Sequence, residues 1–458
     1  MHLSDLPLDV ALHIITYLPI KDILTLFICS KQFYDLSHTI RFTEKVAYQK
    51  ICNLSYYGSF VNVTYQFVRT NFVYPKSIRV LEWDCERCLP SIPNTLSHLI
   101  LGWHCNYPLP PFPTSLTYLK LGFHFNQPLE LPDSLTHLIL DSRYNQPFKR
   151  FPNSLKSLEL GYNYNQVFPP LPNSMTHLKL HYSYNQVISR LPESLTYLEL
   201  GCFYDKILPL LPNSLMYLQL GSIYNHVFSQ LPTSLKRLIL SMSYNQRLPM
   251  LPNSLVHLKL GRCYNQRLPL LPDSLEHLEA DGNFNQPLPR LPDSLVDLIL
   301  GPDFNQPLPK LPNSLKNLKL LGKYNQDLPH LPDSITHLKL IGRYNRELPQ
   351  LPSSLEHLEL GDNFDQILPK LPTGLKFLDL GYKYSQQLSE LPASLLELRL
   401  EDGYNKELPP LPEGLLVLYL GWNYNKPLQR LPDSLKTLFV GRQIKLGELP
   451  PNVKVIYF

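Results

Sequence analysis

A repeat of about twenty residues runs through most of the sequence and constrains the fold more than any other feature. Its copies are marked by the proline of a recurring Leu-Pro-x-Ser-Leu motif, which stands at Pro75, Pro93, Pro113 and Pro132, at every twentieth residue from Pro152 to Pro432, and at Pro450. A single copy is too short to bury an apolar face of its own, so the copies must stack on one another. The repeat therefore predicts a solenoid in which each copy contacts its neighbours.

Positions within a copy are counted here from its anchor proline. Apolar residues occupy +3, +6 and +8, as Leu255, Leu258 and Leu260 do in the copy that begins at Pro252. The alternation at +6 and +8 predicts a short strand with one buried face. A second proline at +17 excludes an α-helix from the rest of the copy. Each copy is predicted to form one strand and a helix-free return, and a glycine at +9 is expected to end the strand by adopting turn dihedrals.

Two further positions are nearly uniform. Position +12 is Tyr or Phe and position +13 is Asn in most copies, as in Tyr264 and Asn265. We interpret them as an inward stack of rings beside a ladder of Asn side chains that bind backbone groups. The alternative is a row of aromatic rings that stacks on a ligand, but a ligand-binding position would vary more between copies.

The copies resemble FNIP repeats, a variant of the leucine-rich repeat found in amoebae and giant viruses. The naming tetrapeptide appears as Phe-Asn-Gln-Pro at 284–287 and 304–307, and the L-x-x-L-x-L core is that of leucine-rich repeats, although the ladder Asn stands at +13 instead of +11. The resemblance implies a mainly β, leucine-rich-repeat-like solenoid of about 20 units over residues 74–458. Its convex side would be proline-rich and poor in helix, with degenerate capping units at 74–91 and 449–458.

The first forty residues have a different pattern. Helical spacing of apolar residues, interrupted by Pro19, predicts three short helices between Leu6 and Leu36, a unit too small to be stable alone. The segment resembles an F-box in four motifs: Leu-Pro-Leu-Asp at 6–9, Ile-Ile-Thr-Tyr-Leu at 14–18, Lys-Asp-Ile-Leu-Thr-Leu at 21–26 and Ser-Lys-Gln-Phe at 30–33. The domain organisation is therefore an F-box at 1–40, a connecting segment at 41–73 and the repeats at 74–458. A helical cap on the solenoid is the alternative for residues 1–40.

The F-box resemblance implies binding to a Skp-family adaptor of a cullin-based ubiquitin ligase. The residues that would contact the adaptor are Leu6, Pro7, Asp9, Ile14, Leu18, Leu24, Leu26 and Phe33. Asp9 and Phe33 replace the Glu and Trp of the family pattern.

The outward strand positions, +5 and +7, are the candidate surface for a target protein. The residues assigned to this face are His137, His177, Tyr197, His257, Lys259, His277, His337, Lys339 and His357. Neighbouring His side chains could in principle share a metal, and Cys85, Cys88, His104 and Cys105 could be zinc ligands. We favour no metal, because no acidic or Cys side chain accompanies the His residues and the Cys spacing is loose. Opposite charges at +7 on neighbouring strands are expected to support the sheet.

Composition excludes several function classes. A net charge of +4 gives no electrostatic footprint for nucleic acid, and no apolar run approaches the roughly 18 residues of a membrane span. We find no phosphate-binding loop or nucleophile elbow, so we expect no enzyme activity, cofactor or small-molecule substrate. Seven irregularly spaced cysteines and a start without a secretory signal predict reduced thiols in the cytoplasm, of the host if the protein is viral, with the nucleus as the other possible compartment.

These observations predict a substrate-recognition subunit of a Skp–cullin–F-box ubiquitin ligase, with an unknown target protein on the repeats. The alternative is a non-catalytic binder or decoy that occupies the host adaptor or another host protein without delivering a substrate. A third class is a ligase enzyme, since short leucine repeats of this kind also resemble those of bacterial effector ligases. We disfavour it because no helical domain with a catalytic Cys follows the repeats.

Overall fold

The computed structural model describes residues 18–29, 41–51, 53–54, 57–66, 74–84, 87–428, 430–444, 446–447, 449–451 and 453–458. Of the three predicted F-box helices, the second is described as α1 (Ile20–Cys29), and the other two lie outside these residues. Pro19 stands before α1, and its carbonyl accepts hydrogen bonds from the backbone N–H groups of Asp22 and Ile23. Within these ranges, no helix combines the length and the apolar character that a membrane crossing requires.

The chain divides into two compact units, Met1–Pro212 and Asn213–Phe458. After α1, the N-terminal unit contains β1 (Phe42–Ala47), α2 (Tyr48–Ile51), a 3-10 turn (Tyr57–Ser59), β2 (Phe60–Gln66), β3 (Val80–Asp84), β4 (His98–Leu101), β5 (Tyr118–Lys120), β6 (His137–Ile139), β7 (Ser157–Glu159), β8 (His177–Lys179) and β9 (Tyr197–Glu199). Each strand from β1 to β8 pairs in parallel with the next one in the sequence. The segment assigned as a connection therefore contributes two strands, β1 and β2, to the same sheet as the repeats.

The C-terminal unit is built in the same way. Its strands are β10 (Tyr217–Gln219), β11 (Arg237–Ile239), β12 (His257–Leu260), β13 (His277–Ala280), β14 (Asp297–Leu300), β15 (Asn317–Leu320), β16 (His337–Leu340), β17 (His357–Leu360), β18 (Phe377–Asp379), β19 (Glu397–Leu400), β20 (Val417–Leu420), β21 (Thr437–Val440) and β22 (Lys454–Tyr457). All neighbours in this series are parallel and in register, so that His257 is opposite His277 and Leu258 is opposite Leu278. The prediction of a helix-poor β-solenoid is confirmed in both units.

The core is made by the positions that the repeat predicted. Leu255, Leu258 and Leu260 are buried, and the same holds for their equivalents in the copies that begin at Pro75 to Pro432. In the last copy, Val453, Ile456 and Phe458 are partly exposed. The +12 rings are also buried and lie parallel to one another: the centroids of Tyr164 and Tyr184 are 6.3 Å apart, with an angle of 10° between the rings. The inward aromatic stack is therefore present, and it closes the side of the core that lies beyond the strand.

Side chains of the return segment form ladders of their own. The Oδ1 atom of Asn165 accepts a hydrogen bond from the backbone N–H of Asn185 at 2.9 Å and one from Nε2 of Gln186 at 3.1 Å. Ser194, at +2, donates from Oγ to the Met175 carbonyl of the preceding copy at 2.7 Å. The Asn ladder agrees with the prediction, whereas the roles of the Gln at +14 and the Ser at +2 emerge only from the structure. These bonds stabilise stretches in which proline prevents a strand ladder.

The reason given for the glycine at +9 was wrong at most positions. Gly161 does not have a positive φ, but a Cβ atom on it would lie only 1.9 Å from the Asp141 carbonyl oxygen. The same overlap, at 1.8 Å, is found between Gly201 and the His181 carbonyl. The close approach of successive turns, and not a left-handed backbone, therefore requires glycine there. Gly381, with φ +67°, is a +9 residue that fits the original expectation.

Candidate protein-binding surface

The strand face of each unit consists of the +5 and +7 side chains, which point away from the core. In β12, Leu258 and Leu260 are buried, while His257 and Lys259 remain partly exposed on the other side. Because neighbouring strands pair in register, equivalent residues form two parallel columns across the sheet. This regular, accessible face is the surface that the sequence assigned to a target protein.

In the N-terminal unit, the strand face carries imidazole and phenol rings. His137 and His177 are exposed, and Tyr197 is partly exposed. The ring of His177 stacks on that of Tyr197 with centroids 5.6 Å apart, and the Tyr197 hydroxyl donates to Oε2 of Glu199 at 2.7 Å. His177 and Tyr197 are therefore in contact, whereas Ser157 of β7 separates His137 from His177. The ring of His137 instead lies 6.2 Å from that of Tyr118.

In the C-terminal unit, four of the predicted histidines form two pairs. The rings of His257 and His277 are 5.7 Å apart, and those of His337 and His357 stack at 4.4 Å with an angle of 8°. His277 is also oriented by Asp297, whose Oδ2 lies 2.5 Å from Nδ1 of the imidazole. Asp297 was not identified from the sequence. It and Glu397 both occupy position +5, so the statement that no acidic side chain accompanies the histidines was wrong.

The charged members of the face are mostly paired with each other. Nζ of Lys259 lies 2.6 Å from Oε1 of Glu279, and Lys339 forms the equivalent pair with Glu359. Lys179 lies between two acidic residues, 3.7 Å from Glu159 and from Glu199. The alternation of charge at +7 thus supports the sheet as predicted, although partly exposed pairs of this kind contribute at most about 1 kcal/mol each. With its charges paired, the face offers rings and hydrogen-bonding groups more than net charge.

Several imidazoles on the face have lowered pKa values. Burial is the main cause of the lowered pKa of His98, His257 and His337. The positive charge of Arg237 lowers the pKa of His257 further, and the neighbouring His357 does the same for His337. These rings therefore favour the neutral form, in which one nitrogen donates and the other accepts a hydrogen bond.

Hydroxyl side chains before some histidines were missed by the sequence reasoning. Oγ1 of Thr136 lies 2.8 Å from Nδ1 of His137, and Thr336 holds His337 in the same way at 2.9 Å. Each hydroxyl fixes the orientation of its imidazole. The sequence does distinguish these histidines, since Thr precedes His137 and His337 while Val precedes His257.

The metal alternatives find no support in the described part of the chain, where no group of three or more His, Cys, Asp or Glu side chains could hold a metal ion. Cys85, one of the four possible zinc ligands, lies outside that part.

The residues assigned to adaptor binding lie largely outside the described ranges, and these are Leu6, Pro7, Asp9, Ile14 and Phe33. Leu18 precedes α1 and is partly exposed, as is Leu26 within the helix. Leu24 also belongs to α1.

Family models match both parts of the chain. A model of the F-box domain matches residues 3–45. The FNIP Repeat model matches segments that cover residues 125–203, 225–370 and 404–443, which is more than half of the chain. The chain belongs to the FNIP repeat family. It is thus an F-box protein whose repeats are of the leucine-rich type, and both kinds of domain are typically non-catalytic and bind other proteins.

Two solved structures show how far this likeness extends. The chain is similar to CroV588, described as a novel circular LRR protein structure, with 34% identity and a TM-score of 0.76 over 88% of this chain. It spans 66% of the length of that protein. It is also similar to YopM from Yersinia enterocolitica WA-314, with 25% identity and a TM-score of 0.59 over 85% of this chain and 84% of that one. No curated protein matches the sequence.

Proposed function

We propose that this FNIP repeat protein is the substrate-recognition subunit of a Skp–cullin–F-box ubiquitin ligase. The F-box would bind the adaptor, and the strand face of the repeats would hold a target protein in the cytoplasm. The observation that carries the proposal is the joining of an F-box, matched at residues 3–45, to repeats with a regular accessible face. The contribution of the chain to ubiquitin transfer is proximity, because holding the target near the charged carrier enzyme makes the transfer effectively intramolecular.

The adaptor half of the proposal is tested with purified full-length protein and a Skp-family adaptor. The Leu6→Ala/Pro7→Ala variant should lose adaptor binding, whereas Lys149→Ala, at a side chain that is 85% exposed on the return segment, should bind as the wild type does. Unchanged binding by the Leu6→Ala/Pro7→Ala variant, or after deletion of residues 1–40, would contradict the proposal. Thermal unfolding of each variant distinguishes lost contact from lost repeat structure.

The target half is tested in cells in which the proteasome is inhibited. Proteins that co-purify with the wild type and carry ubiquitin should be absent with the Leu6→Ala/Pro7→Ala variant, which still binds them without modification. They should be lost altogether with His257→Ala/Lys259→Ala/His277→Ala, a variant of the strand face. Adaptor binding without any ubiquitin-modified partner would instead favour the decoy function.

A further inference from the structure

A column of exposed side chains on the return segments of the C-terminal unit carries charges in an ordered arrangement. It occupies position +15 in six successive copies, and we call it the charged column: Arg247, Arg267, Pro287, Pro307, Asp327 and Glu347. All six side chains are exposed. Two basic residues therefore stand before a pair of prolines, and two acidic residues stand after it.

Charge is unusual at this position of the repeat. In the copies that begin at Pro75 to Pro432, one further +15 residue is charged, Glu407, and the others are Pro, Val, Ile, Gln or Gly. The four charged side chains of the column form no ion pair with any of the described residues, whereas the charges of the strand face are mostly paired. Solvation of the return segments does not require these charges, since uncharged residues occupy +15 in most copies. Binding of another molecule would explain them.

The charged column is evenly spaced along the unit. Oδ1 of Asn245, two residues before Arg247, accepts a hydrogen bond from the backbone N–H of Asn265, and the same bond joins each later copy up to Asn345 at 2.9 to 3.0 Å. The buried +12 rings of these copies follow one another at 6.0 to 6.3 Å between centroids. Two charged columns laid against each other would therefore remain in step over their whole length.

The order of charges in the column is complementary to its own reverse. A two-fold axis that lies in the plane of contact, perpendicular to the column and between its two prolines, places a second copy against the first with its column reversed. Arg267 of one copy then lies opposite Asp327 of the other, and Arg247 lies opposite Glu347. By symmetry each pair occurs twice, so that four ion pairs flank a contact between prolines. A shift by one copy would keep only half of these pairs, and parallel columns would place like charges together.

The lengths of the side chains fit the shape of this surface. Paired strands are about 4.8 Å apart, whereas the ring centroids of Tyr264 and Phe284 are 6.2 Å apart, so the copies diverge from the strands towards the rings and the return segments beyond them. Two such surfaces touch at the axis and separate away from it. The short prolines lie at the axis, and the longer acid, Glu347, stands farther from it than the shorter one, Asp327. The longer side chains thus lie where the gap between the two copies is wider.

We propose that the C-terminal unit binds a second copy of this chain through the charged column, in this antiparallel, two-fold arrangement. An apolar centre surrounded by charged residues is the usual organisation of a protein–protein interface. Dimer formation does not depend on the proposed ligase function. It also leaves the strand face free, because the strand face and the return segments lie on opposite sides of the core.

The dimer should be weak and sensitive to salt. Ion pairs between exposed side chains are individually weak, and dissolved salt screens them. At position +18 the axis also brings Arg290 of one copy near Lys310 of the other, a repulsion that Asp293 reduces by pairing with Arg290 at 3.2 Å. In sedimentation velocity of the full-length protein between about 5 and 100 µM, the Kd of the dimer should be about tenfold or more higher in ~0.5 M than in ~0.05 M NaCl. A protein that stays monomeric at low salt, or a dimer insensitive to salt, would overturn the proposal.

Charge reversal locates the contact. Arg267→Asp should raise the Kd of the dimer about tenfold or more, because it places two acidic side chains opposite each other. Adding Asp327→Arg to the same chain should restore the wild-type Kd, since the exchanged charges again meet their opposites across the axis. Glu407→Arg reverses an exposed +15 charge outside the column and should leave the Kd unchanged.

Two further variants test the pairing between chains. Arg247→Glu/Arg267→Asp and Asp327→Arg/Glu347→Arg should each be monomeric alone, because each column then carries one sign of charge, and an equimolar mixture of the two should form heterodimers. Thermal unfolding should be unaltered in all variants, since the changed side chains are exposed. Unchanged dimerisation of Arg267→Asp, failure of Asp327→Arg to restore it, or a mixture that stays monomeric would overturn the arrangement.

Discussion

The Oδ1 atom of Asn165 accepts a hydrogen bond from the backbone N–H of Asn185, one repeat later, at 2.9 Å. The same relationship recurs along both units, and where Asp365 replaces Asn its carboxylate accepts from the backbone N–H of Ser385 at 2.8 Å. Asn and Asp at position +13 thus share a side-chain oxygen that accepts this hydrogen bond. The Asn of the FNIP tetrapeptide thus has a structural role. It links the return segments of successive copies by hydrogen bonds, where proline prevents strand pairing.

We expect Asn165→Ala to destabilise the protein by about 1–3 kcal/mol, because it leaves the N–H of Asn185 without its acceptor. Asn165→Asp keeps an acceptor in place and should cost clearly less. Urea denaturation at neutral pH, followed by circular dichroism, measures both changes. If the two variants were equally unstable, the acceptor would not be the feature that matters.

Truncation of a side chain in the core of the repeat should reduce stability, whereas truncation of a side chain on the strand face should reduce target binding. Tyr264 is fully buried, so Tyr264→Ala should cost about 3–5 kcal/mol. His257→Ala and Lys259→Ala, on the strand face of the same copy, should change stability by no more than about 0.5 kcal/mol and affect target binding instead. Thermal unfolding and co-purification separate the two effects. A stable Tyr264→Ala variant together with an unfolded His257→Ala variant would reverse our assignment of the two sides.

Some buried phenols are expected to be dispensable as hydrogen-bonding groups. The hydroxyl of Tyr164 is buried and has no hydrogen-bond partner among the described residues, and burial raises the pKa of this phenol far above its usual range. Phe304 occupies the same position in another copy. We therefore expect Tyr164→Phe to leave the melting temperature unchanged or raise it, since an unpaired buried hydroxyl is costly. A clear loss of stability in calorimetry would show that the hydroxyl is paired in solution.

Stability should fall when the solution is acidified from about pH 7 towards pH 5.5. The pKa values of His257 and His337 are lowered in the folded protein, mainly by burial, whereas an unfolded chain has the usual value of about 6.5. The folded state thus binds protons less readily. The stability that these groups contribute is present above about pH 6.5 and is lost as the pH falls through their folded values.

The His257→Gln/His337→Gln variant should therefore show a smaller loss of stability over this pH range than the wild type. Urea midpoints at the two pH values give the comparison. His137→Gln is a suitable control because that side chain is exposed. A variant with the same pH dependence as the wild type would show that these two residues do not carry the effect.

The buried positions of the repeat could be predicted from the sequence because the same residue type recurs at each of them in nearly every copy. Leucines at +6 and +8, and rings at +12, recur so regularly that only an inward position explains them. Strands β1 and β2 could not be predicted in this way, since Phe42 and Phe60 stack on each other, with centroids 4.7 Å apart, without the proline motif that marks the repeats. In the structure, β2 pairs with β3 of the first repeat, and β1 pairs with β2.

The surface was less predictable than the core. The face residues lie on the strands as expected, but the partner of His277 was missed, because Asp297 at +5 of the next copy was overlooked although the repeat spacing places it on the neighbouring strand. The glycine at +9 was explained by its own dihedrals, whereas the actual constraint at Gly161 is the backbone of the preceding turn. The residue columns and the charge pairs between copies could therefore be predicted from the repeat, whereas the close approach of successive turns required the structure.

The copy that begins at Pro113 is one residue shorter than the twenty-residue copies that follow it, yet Tyr118 still pairs with His137 and Asn126 still accepts from the N–H of Asn145 at 2.9 Å. The missing residue falls in the return segment, between the Asn and the next proline. Small insertions and deletions should accordingly accumulate in the return segments during evolution, while the number of strands changes only by duplication or loss of whole copies. Such a gene can lengthen or shorten its strand face in equal steps without redesigning the core.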